Sequence, residues 1–132
     1  MKSILTFLLL LTYGISSFGQ IQSPENIQPD STTFKNVYVK SIHSSNDASV
    51  FVIWIKKEVP NHRHDAHTEV VFVLEGKGKM QLGGNTSKIK KGDIIVIPQG
   101  SPHSVIATSK KPLKVLSVQS PNFDGSDRIW IK

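Results

Sequence analysis

The stretch VPNHRHDAHTEVVFVLEG, residues 59–76, sets three histidines and a glutamate directly before an apolar run. The chain has five histidines, and His62, His64 and His67 fall within eight residues of sequence that also hold Glu69. On a strand, residues i and i+2 project from the same face, so His62 and His64 point the same way. Residues 65–68 are long enough for a short connection, and Glu69 opens the next strand. A hairpin therefore returns Glu69 to the neighbourhood of the two imidazoles. Two imidazoles and a carboxylate on one hairpin form part of a divalent-metal site. Taken alone, the stretch fits a polar surface loop equally well.

The rest of the chain decides the fold class. FKNVYVKSI, SVFVIWIKKEV, EVVFVLEG, GKMQLGG, SKIKKGD, DIIVIP, HSVIAT and PLKVLSVQ are short segments rich in valine, isoleucine and aromatics. Glycine, proline, asparagine, aspartate and serine separate them at short intervals, and none carries a sustained helical period. That pattern predicts an all-β sandwich or barrel with antiparallel pairing. LGGNTSK reads as a tight turn, because Gly83 and Gly84 permit positive φ and Asn85 tolerates it. PQGSPH, residues 98–103, forces a second turn just before His103 and so fixes where that histidine points.

Written with its gaps, the first stretch is His62-x-His64-(x4)-Glu69-(x6)-Gly76, and further on stands Gly92-(x5)-Pro98-x-Gly100-(x2)-His103. Together they resemble the two sequence motifs of the cupin superfamily, over roughly Val50 to Gln119. Two positions depart from the family pattern, Lys56 where the first motif opens on glycine and Ala107 where the second ends on asparagine. Neither position supplies a metal ligand in the family. The resemblance implies a double-stranded β-helix (jelly-roll) barrel in which His62, His64, Glu69 and His103 bind one divalent ion. Neutral imidazoles with a carboxylate suit Fe, Mn, Ni, Cu or Zn. Four protein ligands in octahedral coordination leave two positions open for chemistry.

Around this set, His67 has three readings: a solvent-facing turn residue, which its place in the connection favours, a substrate contact, or a ligand in place of Glu69. Asp65 reads as a surface turn residue or an orienter of a histidine. His43 has no partner motif and reads as structural. Val71 and Val73 share a strand face with Glu69 and are expected to line the pocket. Phe51, Ile53 and Ile55 share one face of another strand with Trp54 on the opposite face, and the sequence does not say which face is core. The tail SPNFDGSDRIWI resembles the ends of many small bacterial cupins and suggests no chemistry.

The remaining features bear on location and partners. The chain has 132 residues, a formal charge of +6 and no cysteine. Residues 1–19 carry Lys2, an apolar run from Ile4 to Leu11 and small residues at Ser17 and Gly19, the pattern of a signal peptide cleaved before Gln20. The run is short of the roughly 20 apolar residues a membrane span needs. Export to the periplasm or beyond is therefore expected, with no stable membrane anchor. Residues 20–33 are polar, carry two prolines and read as a flexible linker, leaving 34–132 as the barrel domain. The lysines look scattered and read as a solvated basic surface; no arginine-rich helix points to nucleic acid. The expected partner is a small oxygen-bearing molecule, with a homodimer hinted at by the resemblance. Two function classes stay open: a metal-dependent enzyme of dioxygenase, isomerase or decarboxylase type, and a non-catalytic module that captures a sugar or another small ligand.

Overall fold

A computed structural model describes residues 19–132. The expected signal peptide lies outside the described residues except for Gly19. The strands are Val37–Ser44 (β1), Ser49–Ile55 (β2), Glu58–Arg63 (β3), Thr68–Glu75 (β4), Lys77–Leu82 (β5), Asn85–Lys90 (β6), Ile94–Ile97 (β7), His103–Ala107 (β8), Leu113–Ser120 (β9) and Ile129–Trp130 (β10). They form two five-stranded sheets, ordered β1-β2-β9-β4-β7 and β10-β3-β8-β5-β6. Every pairing is antiparallel. The all-β expectation holds, and the architecture is the jelly roll.

SVFVIWIKKEV, read as one segment, is two strands. The chain turns a corner at Lys56–Lys57 and passes from the first sheet to the second. A corner strands backbone polar groups that need partners. Asn36 supplies them: its Oδ1 accepts from Lys57 N at 3.0 Å and Glu58 N at 3.1 Å, and its Nδ2 donates to Glu58 O at 2.8 Å.

Both faces of β2 are packed. Ile55 joins Val73, Met80, Ile97, Leu113 and Val115 between the sheets, with Ile53 against them. Val52 and Trp54 point the other way and form a second cluster with Leu74. Ile27, Phe34, Tyr38, Ile42 and Leu116 close that cluster from outside. Part of the stretch expected to be a linker is thus a cover for the first sheet. Its anchor is Lys114, 2% exposed, whose Nζ donates to Pro24 O at 2.7 Å and Ile27 O at 2.9 Å. Burying an ammonium is costly unless it is hydrogen-bonded, so these two carbonyls hold the segment in place.

The motif glycines serve the backbone. Gly76 sits at φ +84°, and a Cβ there would lie 2.9 Å from Ser109 Oγ and 3.0 Å from Pro112 O. Only glycine satisfies both the left-handed turn and the close approach. Gly100 N donates to His64 O at 2.6 Å, which ties the turn of the second motif to the strand of the first.

Candidate metal centre

His62 is the register partner of His103 across β3 and β8. His64 follows β3, and Glu69 stands on β4 in the other sheet. The sheets face each other so that His62, His64 and His103 each offer one nitrogen within 4.8 Å of the others, and all three are buried. Ring centroids are 4.1 Å apart for His62 and His103, 5.1 Å for His62 and His64, and 5.3 Å for His64 and His103.

Each imidazole is held from behind by main chain. His62 Nδ1 faces Pro60 O at 2.9 Å, His103 Nδ1 faces Ser101 O at 2.9 Å, and His64 Nδ1 faces Asp127 O. A carbonyl only accepts, so in each ring Nδ1 carries the proton and donates, leaving Nε2 as a bare lone pair aimed inward. The Nε2 atoms of His64 and His103 are buried and have no hydrogen-bond partner. Glu69 Oε2 lies 3.6 Å from the first and 3.5 Å from the second. Its Oε1 accepts from Ser117 Oγ at 2.5 Å, which turns Oε2 toward the histidines.

Buried groups left unpartnered are rare and call for an explanation. Lone pairs converging beside a carboxylate repel one another in the absence of a cation. A divalent ion answers both points: the three imidazole nitrogens converge closely enough to hold one, and the Glu69 carboxylate stands beside two of them rather than within the same close group.

The charge states of His62 and Glu69 are those of ligands, whereas His64 is held toward its protonated form while no cation competes for its lone pair. Burial pushes His62 down to about 4, so this ring is neutral in ordinary buffers. Burial also pulls on His64, but the Glu69 carboxylate beside its Nε2 and the hydrogen bond to the Asp127 carbonyl raise it above its usual value. For Glu69 burial works against ionisation, yet the His103 and His64 rings beside it and the hydrogen bond from Ser117 hold the carboxyl far below the usual range.

These directions give a pH dependence for metal-free protein. His62 is depressed in the folded state, so its contribution is complete above about pH 6.5 and is lost as pH falls toward 4. His64 is raised, and its change with pH falls above 6.5. The interval from pH 6.5 to 4.5 therefore belongs to His62. Chelator-treated protein is expected to melt progressively lower across it, by up to roughly 3 kcal/mol of stability. His62→Gln should flatten the slope in thermal melts at pH 6.5, 5.5 and 4.5. An equal slope in the variant would show that another group titrates.

His67 departs from the sequence expectation. It is not solvent-facing but 6% exposed, edge-on to Phe123 at 5.2 Å. Its Nε2 donates to Asn122 O at 2.7 Å and its Nδ1 pairs with the Asp127 carboxylate. The reason is the C-terminal tail, which folds back over the connection between β3 and β4. Asp127 is the residue that sequence reasoning missed. Its carboxylate accepts from Asp65 N at 2.9 Å and Ala66 N at 2.8 Å, and its carbonyl holds His64. Burial opposes this, but the His67 contact and the two N–H groups hold Asp127 at about 2. No spacing rule links position 127 to position 64. Asp65 is exposed and pairs with Arg63, Nε to Oδ1 2.7 Å. His43 is exposed on β1.

The histidines open onto a cavity of about 240 Å3. Its walls are largely apolar, from Ile53, Val71, Met80, Ile95 and Val105, with Gln119 beside the site and Arg128 and Trp130 at the mouth. Val73 is fully buried in the core and does not line it, unlike Val71.

A two-sheet jelly roll with this motif pair defines a class of protein, and the comparisons agree. The chain belongs to the cupin family: residues 49–119 match the cupin domain (Cupin_2). It is 32% identical over 98 residues to an uncharacterized protein of Aquifex aeolicus, covering 74% of this chain and 80% of that protein. It is 32% identical over 57 residues to an oxalate-binding protein of Thermotoga maritima, covering 43% of this chain and 47% of that one. Among solved structures, a protein from Klebsiella pneumoniae with a double-stranded β-helix domain superposes with a TM-score of 0.72 at 20% identity, over 87% of this chain and 99% of that one.

Proposed function

We propose that the protein binds a small oxygen-bearing molecule through one divalent metal held by His62, His64, His103 and Glu69. The observation that carries this reading is the pair of buried, unpartnered Nε2 atoms facing Glu69 Oε2. A bound divalent ion supplies Lewis acidity to an oxygen ligand at its open positions. The chain's own residues do the rest. The carbonyls of Pro60, Ser101 and Asp127 hold the imidazoles in the binding tautomer, and Ser117 holds Glu69. The aliphatic walls exclude water and strengthen each polar contact inside. Trp130, 56% exposed and 5.3 Å from the His62 ring, stands where a ligand enters.

The name of the Thermotoga maritima relative favours capture over turnover, and oxalate is a fitting probe because it presents oxygens for chelation. Export is part of the same proposal, with residues 1–19 removed as a signal peptide. The test is calorimetric titration of oxalate into metal-loaded and chelator-treated protein, with mass analysis of the recovered ligand. Binding by the loaded form alone, with oxalate recovered intact, is the expected result. Conversion of the ligand would replace the capture reading with an enzymatic one. Protein that retains no metal after loading would sink the metal centre itself.

A further inference from the structure

Lysines that look scattered along the sequence meet at one end of the barrel. β3 leaves this end at Glu58 and reaches the histidines four residues later, and β8 returns from His103 to Ala107. The connections β2–β3, β4–β5, β6–β7 and β8–β9 therefore gather opposite the metal centre. Hydrogen bonds join them: Ala107 N to Lys57 O at 2.7 Å, Thr108 N to Lys77 O at 2.9 Å, and Lys77 N to Ser109 Oγ at 3.0 Å. Every one of the four carries exposed lysine at or beside its turn: Lys57, Lys77, Lys90 with Lys91, and Lys110 with Lys111. All but Lys57 rim a single shallow depression with Gly76 and Ser109.

The arrangement costs the fold something. Lys77 stands directly opposite Lys90 across β5 and β6, and Lys79 opposite Lys88 on the same exposed face. Like charges at facing positions of a sheet destabilise it. Four carboxylates lie near: Asp93 reaches Lys90 at 3.3 Å, Glu75 is directed toward Lys114 at 3.9 Å, Glu25 feels Lys91, and exposed Glu58 follows Lys57, which leaves Lys77, Lys110 and Lys111 without an ion pair among the described residues. A fold that tolerates two successive repulsive pairs is suited to an anionic partner.

We propose that this end docks on an anionic lipid bilayer. Three observations favour a bilayer over a dissolved polyanion. The charges come from turns of both sheets and spread over an area rather than along a track. They are lysines, compact hydrated charges suited to diffuse attraction, whereas bidentate reading of phosphates on a nucleic acid uses arginine. Apolar side chains flank them, with Ile94 66% and Ile106 50% exposed beside the same turns. Basic charge with adjoining apolar side chains is the composition of a membrane-surface contact.

The test is co-sedimentation of the full chain with vesicles of phosphatidylcholine alone and with about one-third phosphatidylglycerol. Because the apolar run Ile4–Leu11 could enter either bilayer, the readout is the ratio of the two partition coefficients. Wild type is expected to prefer the anionic vesicles and to lose the preference in high salt. Lys77→Gln, Lys90→Gln, Lys110→Gln and Lys111→Gln combined should lower the ratio on the order of 100-fold, while metal content is unchanged. The Lys110→Gln, Lys111→Gln pair, confined to one connection, should lower it about tenfold. A wild-type ratio near unity, or one that survives these substitutions, would overturn the proposal. So would lysine-dependent binding to polyphosphate or duplex DNA without preference for anionic vesicles, which would assign the surface to a soluble polyanion.

Discussion

Chelation is expected to lower the melting temperature of the wild-type protein, and His103→Ala to lose most of that metal-dependent increment. His62, His64 and Glu69 lie within eight residues, so their joint coordination pins little chain. His103 stands 34 residues beyond Glu69. By analogy with a disulfide, closing a loop of that length contributes about 3–4 kcal/mol. The structure lowers this figure, because β3 and β8 already pair and set His62 opposite His103 without metal. What a shared ion would add is a tie between sheets, from His62 and His103 in one to Glu69 in the other. An increment of about 1–3 kcal/mol, below the loop-closure limit, is therefore expected. Thermal melts of both proteins with metal and with chelator measure it. Equal responses in wild type and variant would show that His103 does not close the site.

The second large effect is expected at Asp127. Asp127→Ala removes the acceptor for His67 Nδ1 and for the N–H groups of Asp65 and Ala66. Both side chains of this contact are largely buried, 7% and 14% exposed. Losing the shared acceptor leaves buried donors unpaired and costs about 1–3 kcal/mol. The Asp127 carbonyl, which orients His64, sits on the same freed tail. Metal affinity should therefore weaken by roughly 10–100-fold, as for loss of other groups that hold a ligand from behind. His67→Ala should show the same direction more weakly, in contrast to the neutral behaviour expected of a surface turn residue. Melting curves and competition against a chelator of known affinity check both. Unchanged metal affinity in Asp127→Ala would show that His64 is oriented by other contacts.

The strands and the two motifs were legible because each depends on neighbours close in sequence. Alternating β-branched residues, turn glycines and the i, i+2 histidines are local signals, and Gly76 and His103 sit where local geometry demands them. The ambiguity over β2 had a physical origin. Ile53 and Ile55 face one interior and Val52 and Trp54 another, so no polar face existed to be read. Lys56–Lys57 passed as strand continuation because the groups that stabilise the corner belong to Asn36, more than twenty residues earlier. The parts that stayed hidden are those made by long returns. The tail that buries His67, the cover formed around Ile27 and the collected lysines all depend on pairings no sequence interval announces.

The hydrogen bonds behind the imidazoles have a bearing on mutational tolerance. All three acceptors are carbonyls of Pro60, Ser101 and Asp127, so each Nδ1 leans directly on main chain, and a side chain such as that of Asp127 acts only by holding that main chain in place. Replacing the Ser101 side chain removes nothing that a ring leans on. The aim of each nitrogen is written into the path of the peptide chain, and it fails only where that path is displaced. Drift at neighbouring positions can then reshape the cavity and its selectivity while the donor geometry persists, a separation that lets one scaffold acquire new ligands without rebuilding its centre.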